Sequence, residues 1–154
     1  HQRRREAVDH LDVFRTLLDL ADVDLPPGRI DSYPGRSFRA LLDNSEAIPD
    51  WRSVQFGEYG PLRMIRTGTH KLVRRYPDGP CELFDLEADP REERSLFGDP
   101  SAAALETELT EQIDDFFSTF SDPDKTGLRA AELPRHNNSE AWRWEAGSSD
   151  VGTP

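Results

Sequence analysis

Apolar side chains in the segment DHLDVFRTLLDLAD, residues 9–22, recur at Leu11, Phe14, Leu17, Leu18 and Ala21. Steps of three and four predict an amphipathic helix. Asp9 or Asp12 is its expected N-cap, because a carboxylate accepts the free N–H groups of a first turn. Pro26-Pro27-Gly28 then stops regular structure. The following stretch holds Pro34 and Pro49 and reads as a connector with one short helix near Ser37–Leu42.

The pattern then shortens its period. Strand-like runs follow at Ser53–Tyr59, Arg63–Thr67, Lys71–Tyr76 and Glu82–Leu86. Gly60-Pro61, Gly68 and Pro77-Asp78-Gly79-Pro80 punctuate them. Such short connections predict an antiparallel meander. Gly98-Asp99-Pro100 introduces a last helix, whose stripe is Leu105, Leu109, Ile113, Phe116, Phe117 and Phe120. That stripe needs a sheet face to cover, and the meander supplies one. The expected fold class is therefore α+β, a small four-stranded antiparallel sheet packed against a C-terminal helix. After Phe120 the apolar pattern fades. Residues 122–154 read as an extended, partly disordered tail whose strong anchors are Leu133, Trp142 and Trp144.

Composition narrows the function classes. No apolar run nears the roughly 18 residues of a membrane-spanning helix. The formal net charge is −11, which opposes general nucleic-acid binding. Of 19 Lys+Arg, only Lys71 and Lys125 are lysine. Abundant acid with scarce lysine is the balance expected of a protein kept soluble in concentrated salt; a GC-rich genome would also favour arginine. The chain opens at His1 and its one methionine is Met64, so we expect a piece of a longer polypeptide. Localisation stays open between cytoplasmic and secreted. Cys81 is the single cysteine and excludes an internal disulfide. Its place in CELFDL predicts a buried strand thiol. Asn137-Asn138-Ser139 fits the N-x-S/T glycosylation pattern.

Metal-ligand spacings fail. Asp122, Asp124, Thr126 and Gly127 imitate the start of an EF-hand loop, but the closing twelfth position is Leu133 and Glu132 falls one early. His10, His70 and His136 are scattered.

Four segments, in order, resemble the C-terminal part of sulfatases, members of the alkaline-phosphatase-like superfamily. DVFRTLLDLADVDLP is similar to a family helix of the form D-hydrophobic-P-T-L-L-D-L-A-G. PGRSFRALLD is similar to G-R-S-L-x-P-L-L. RMIRTGTHKLVRRY is similar to paired strands with R-x-G-x-Y-K-L. CELFDLEADPREERSLFGDP is similar to E-L-Y-D-L-x-x-D-P-x-E-x-x-N-L and is the most specific. Arg15, Asp22, His70 and Ser95 stand where the family usually has proline, glycine, tyrosine and asparagine.

The resemblance implies a division of the chain. Residues 1–24 would end a larger α/β catalytic domain, 25–50 connect, 51–121 form the C-terminal subdomain, and 122–154 the tail. Phe14, Leu17 and Leu18 would then expose apolar surface in the isolated chain. It further implies that the parent hydrolyses a sulfate ester with calcium and a formylglycine. None of that set falls on this chain: Cys81 is followed by Glu-Leu-Phe-Asp rather than the C/S-x-P/A-x-R maturation motif, and no D-H-G metal segment occurs. We therefore expect no catalytic residue and no cofactor here, and no activity of the isolated 154 residues. The expected partners are the rest of the catalytic domain and, in the parent, an anionic substrate. Residues placed to help select that substrate are Glu58 and Tyr59 in FGEYG, Arg66, His70 and Lys71 around a hairpin, and His136 and Asn137 in a strap returning from the tail. A related phosphonate or phosphodiester hydrolase and a stand-alone interaction module are the alternatives.

Overall fold

A computed structural model describes residues 6–24, 26, 28, 33–43 and 50–132. His136, Asn137, Leu133, both tail tryptophans and the Asn137-Asn138-Ser139 tripeptide lie outside them.

The elements are α1 (His10–Leu20), α2 (Arg39–Leu42), β1 (Gln55–Tyr59), β2 (Leu62–Arg66), β3 (His70–Arg75), β4 (Glu82–Asp85) and α3 (Ala103–Phe120). A 3-10 helix of one turn, Pro100–Ala102, precedes α3, and one of two turns, Gly127–Glu132, follows it. The strands form one antiparallel sheet in the order β1-β2-β3-β4, as the meander predicts. Each strand is slightly shorter than, or shifted from, its predicted run, and α2 begins at Arg39 rather than Ser37.

The core follows from register. Ile65, Leu72 and Leu83 are Cα partners across β2, β3 and β4, so their side chains form one row on one face. Each is fully buried beneath Leu109, Ile113 and Phe117 of α3. Phe56 of β1 extends the row beside Ile65 and stacks on Phe116, with ring centroids 4.0 Å apart. Each such side chain stabilises the fold by roughly 1.5–3 kcal/mol. The entry to α3 is capped by Asp99, whose Oδ1 accepts from Ser101 N at 2.8 Å, with Pro100 next in line.

The ELFDLEADP segment is a turn cassette. Asp85 Oδ1 accepts from the backbone N–H groups of Glu87 and Ala88, both at 2.9 Å. Asp89 Oδ2 accepts from Arg94 N at 2.8 Å. These bonds hold both carboxyls below the usual carboxylate range. The chain then returns along β4: Leu96 N donates to Leu83 O, and Leu83 N to Ser95 Oγ. The free edge of β4 is thereby covered. Cys81 corrects the expectation of a buried strand thiol. It precedes β4, is half-buried, and its Sγ points to Gly79 O at 3.7 Å.

Helix α1 packs the opposite way from most surface helices. Its buried residues are Asp12 and Thr16, and Phe14 and Leu17 are exposed; Leu18 is half-buried. Asp9 is the N-cap and Asp12 closes a capping box by accepting from Asp9 N at 3.0 Å. Asp12 Oδ1 also accepts from Arg36 N at 2.8 Å, and Thr16 Oγ1 from Phe38 N at 3.0 Å. One helical turn thus reads alternate N–H groups of an extended segment. Tyr33 adds a bond from its hydroxyl to Leu11 O at 2.9 Å. Gly35 is required there, because a Cβ would sit 2.2 Å from Leu11 O.

Candidate functional site

Arg66 and Lys71 are Cα partners on β2 and β3. Ile65 and Leu72 occupy the α3 face, so alternation puts the two cations on the other face. Like charges directly opposite repel. Lys71 is relieved by Glu92, with Nζ–Oε2 2.5 Å, and lies 6.0 Å from the Phe84 ring centroid. Glu92 is delivered by a backbone turned to φ +57 in the loop after β4. Arg66 is exposed, and among the described residues its guanidinium has no ion pair or hydrogen bond. Lys71, Met64, Val73, Phe84 and Arg91 line a shallow depression of about 510 Å³ that Arg66 does not border.

The hairpin tip is fixed by Thr67, whose Oγ1 accepts from His70 N at 2.9 Å and Thr69 N at 3.3 Å. His70 begins β3, with its Nδ1 2.8 Å from Thr69 Oγ1. It shares the Leu72 face by alternation, so it does not stand beside Arg66 and Lys71.

Glu58 is committed elsewhere. Its Oε1 accepts from Arg63 Nε at 2.9 Å and Thr126 Oγ1 at 3.1 Å, and its Oε2 from Gly127 N at 2.9 Å. Burial alone would push this carboxyl up. The bonds from Gly127, Arg63 and Thr126 and the Arg63 charge outweigh it and hold the group below its ordinary value. Arg63 in turn lies 4.3 Å from the Phe117 ring centroid. Glu58 therefore fastens the stretch after α3 back onto β1. Gly127 belongs to the same close approach, since a Cβ would meet Gly60 O at 2.2 Å. The residues 122–132 that read as extended tail are thus a strap ending in a 3-10 turn. Its acids are spent on ion pairs, Asp122 with Lys125 at 2.9 Å and Glu132 with Arg129 at 2.7 Å.

Tyr59 is 85% exposed. It lies four residues along β1 from Gln55, the Cα partner of Arg66, so roughly 13 Å separates the two. The structure therefore gathers Arg66 and Lys71 and leaves Glu58, Tyr59 and His70 apart.

The buried ion pair at α1 was outside the sequence reading. Arg52 Nη2 lies against Asp12 Oδ1 and 3.6 Å from Asp9 Oδ1, with the Asp12 side chain fully buried. Arg52 Nη1 donates to Pro34 O at 3.3 Å. Among the described residues Arg52 Nε has no hydrogen-bond partner. The sequence marks Asp9 or Asp12 as the cap; Arg52, forty residues after Asp12, leaves no local signal.

Among the described residues no three His, Cys, Asp or Glu side chains are grouped to hold a metal ion. Cys81 is followed by Glu82-Leu83-Phe84-Asp85. These donors fit neither a calcium site nor a formylglycine, and no reaction step is derived through either.

Residues 1–118 match the family described as N-sulphoglucosamine sulphohydrolase, C-terminal. The chain belongs to this sulfatase C-terminal family. An N-acetylglucosamine-6-O-sulfatase of Bacteroides thetaiotaomicron is 29% identical over 75% of the chain and 22% of that protein. Arylsulfatase K of Mus musculus is 33% identical over 55% of the chain and 17% of that protein. An enzyme solved with its substrate D-glucosamine-2-N,6-O-disulfate superposes with a TM-score of 0.57 and 30% identity, covering 74% of this chain and 25% of that one. A phosphonate monoester hydrolase of Silicibacter pomeroyi gives 0.61 and 25%, covering 73% and 25%. This sulfatase C-terminal domain spans between 17% and 25% of the length of these relatives. Its sheet and α3 carry the shared α+β fold.

Proposed function

We propose that the chain is the C-terminal part of an enzyme that hydrolyses sulfate esters, and that it helps hold the anionic substrate. The family match over residues 1–118 carries this reading. In it, calcium and formylglycine belong to the rest of the polypeptide. They would supply electrophilic assistance and a nucleophile there. This chain contributes the rigid sheet and the cation Arg66. A guanidinium suits a sulfate because its planar donors match two oxygens at once. Lys71, already neutralised by Glu92, would position rather than bind. Glu58, Tyr59, His70, His136 and Asn137 are secondary candidates.

Replacing Arg66 by Ala in the full-length polypeptide should raise KM by about tenfold with kcat unchanged, the loss of one charge-assisted hydrogen bond of roughly 1.5 kcal/mol. An unchanged KM retires this role. The likeness to a phosphonate monoester hydrolase makes that ester the competing substrate to assay beside it. We also propose a salt-adapted host, on the net charge of −11 and the two lysines.

A further inference from the structure

The sheet has one open edge. Its order is β1-β2-β3-β4, and among the described residues β1 pairs with β2 alone. The chain returning along β4 covers the opposite edge. An edge strand presents a row of N–H and C=O groups with no ladder partner. Phe56, Gly57 and Glu58 of β1 wall a cleft of about 560 Å³, together with Tyr33 and the end of α3. The wall is aromatic. Phe56 stacks on Phe116 at 4.0 Å between centroids, and Phe116 meets Phe120 at 5.0 Å. Phe120 is left 37% exposed. An open strand edge and a row of rings therefore share one cleft.

We infer that the segment EAWRWE, residues 140–145, adds to β1 as a fifth, antiparallel strand and sets Trp142 and Trp144 against Phe56 and Phe120. Several observations name this occupant. Alternation puts both indoles on one side of an extended strand, with Ala141, Arg143 and Glu145 on the other. Large aromatic side chains are seldom left in water, and this pair stands in an otherwise polar stretch. The described strap ends beside β1: Gly127 N donates to Glu58 Oε2, and Gly60 and Glu132 line one depression at the turn after the strand. A segment that leaves there and runs back along β1 is antiparallel to it. Residues 133–141 reach up to about 30 Å when extended, ample for the roughly 17 Å of a five-residue strand. Tethering also keeps this segment at roughly millimolar effective concentration beside the cleft. A second copy must instead be recruited from solution against its own net charge of −11.

Hydroxyl-radical labelling of the full-length polypeptide tests this, with Phe97, 39% exposed on the loop before α3, as the internal reference. Phe120 should label about tenfold more slowly than Phe97, as a side chain in a packed interface does. Ending the chain after Glu132 should bring the two rates together. Trp142→Ser with Trp144→Ser should do the same at full length, whereas Arg143→Ser, on the other side of the strand, should leave Phe120 protected. Amide exchange reads the added ladder: β1 should lose protection when the chain ends after Glu132. Equal labelling of Phe120 and Phe97 in the parent overturns the inference. Protection of Phe120 that survives the truncation also overturns it, and assigns the cleft to the rest of the polypeptide or to a second copy. Unchanged β1 exchange, or loss of protection in Arg143→Ser, removes the strand. None of these readouts depends on which ester the enzyme cleaves.

Discussion

The Arg52 guanidinium lies against the fully buried carboxylate of Asp12, joining the start of the sheet region to the first turn of α1. Asp12 also accepts from Arg36 N and Asp9 N, so one side chain ties helix, connector and sheet entry together. Breaking a buried pair from one side leaves the other charge uncompensated. Asp12→Ala should therefore lower stability by about 3–5 kcal/mol in urea unfolding. An Asp12→Ala chain within about 1 kcal/mol of the parent would show that water replaces the carboxylate.

Glu58 links stability to pH through the strap. Its carboxyl is held below the ordinary 4.5, so the folded state binds the proton less readily than the unfolded state. The stabilisation is present above that ordinary value and is lost as pH falls through the lower folded value. Protection of the Gly127 amide, which donates to Glu58, relative to its intrinsic exchange rate should fall over this window and at neutral pH in Glu58→Gln. Exchange that ignores both changes would remove Glu58 as the anchor.

Much of this architecture is legible in the sequence. The α3 stripe and the row Ile65, Leu72 and Leu83 follow from period alone, because the sheet and helix bury the faces that the pattern marks. Helix α1 shows the limit. Periodicity finds its apolar face but does not say which face is covered; Asp12 and Thr16 are buried instead. Charge pairing was illegible for a similar reason. Lys71 reads as a free hairpin cation, yet Glu92, twenty-one residues later, reaches it through a loop set by Asp85 and Asp89. Glu58 reads as a site residue and becomes an anchor because the chain after α3 doubles back to β1. Arg66 is exposed on the hairpin and, among the described residues, has no ion pair.

Tyr76 tests the polar inventory of the sheet. Among the described residues its buried hydroxyl has no partner, and burial pushes the phenol up. An unsatisfied buried hydroxyl costs about 1–3 kcal/mol, so Tyr76→Phe should match or exceed the parent in stability. A clear loss on thermal unfolding would reveal a bond that the hydroxyl makes in solution.

The acidic surface predicts a salt response. With a net charge of −11, screening relieves self-repulsion, so multimolar KCl should raise the unfolding midpoint of the chain. A midpoint insensitive to KCl would leave the arginine bias to genome composition.

The direct measurement compares hydrolysis of an aryl sulfate and an aryl phosphonate monoester by the full-length polypeptide and by the 154-residue chain. The full-length enzyme should prefer the sulfate, and the chain alone should cleave neither. Preference for the phosphonate, or turnover by the chain alone, would contradict it.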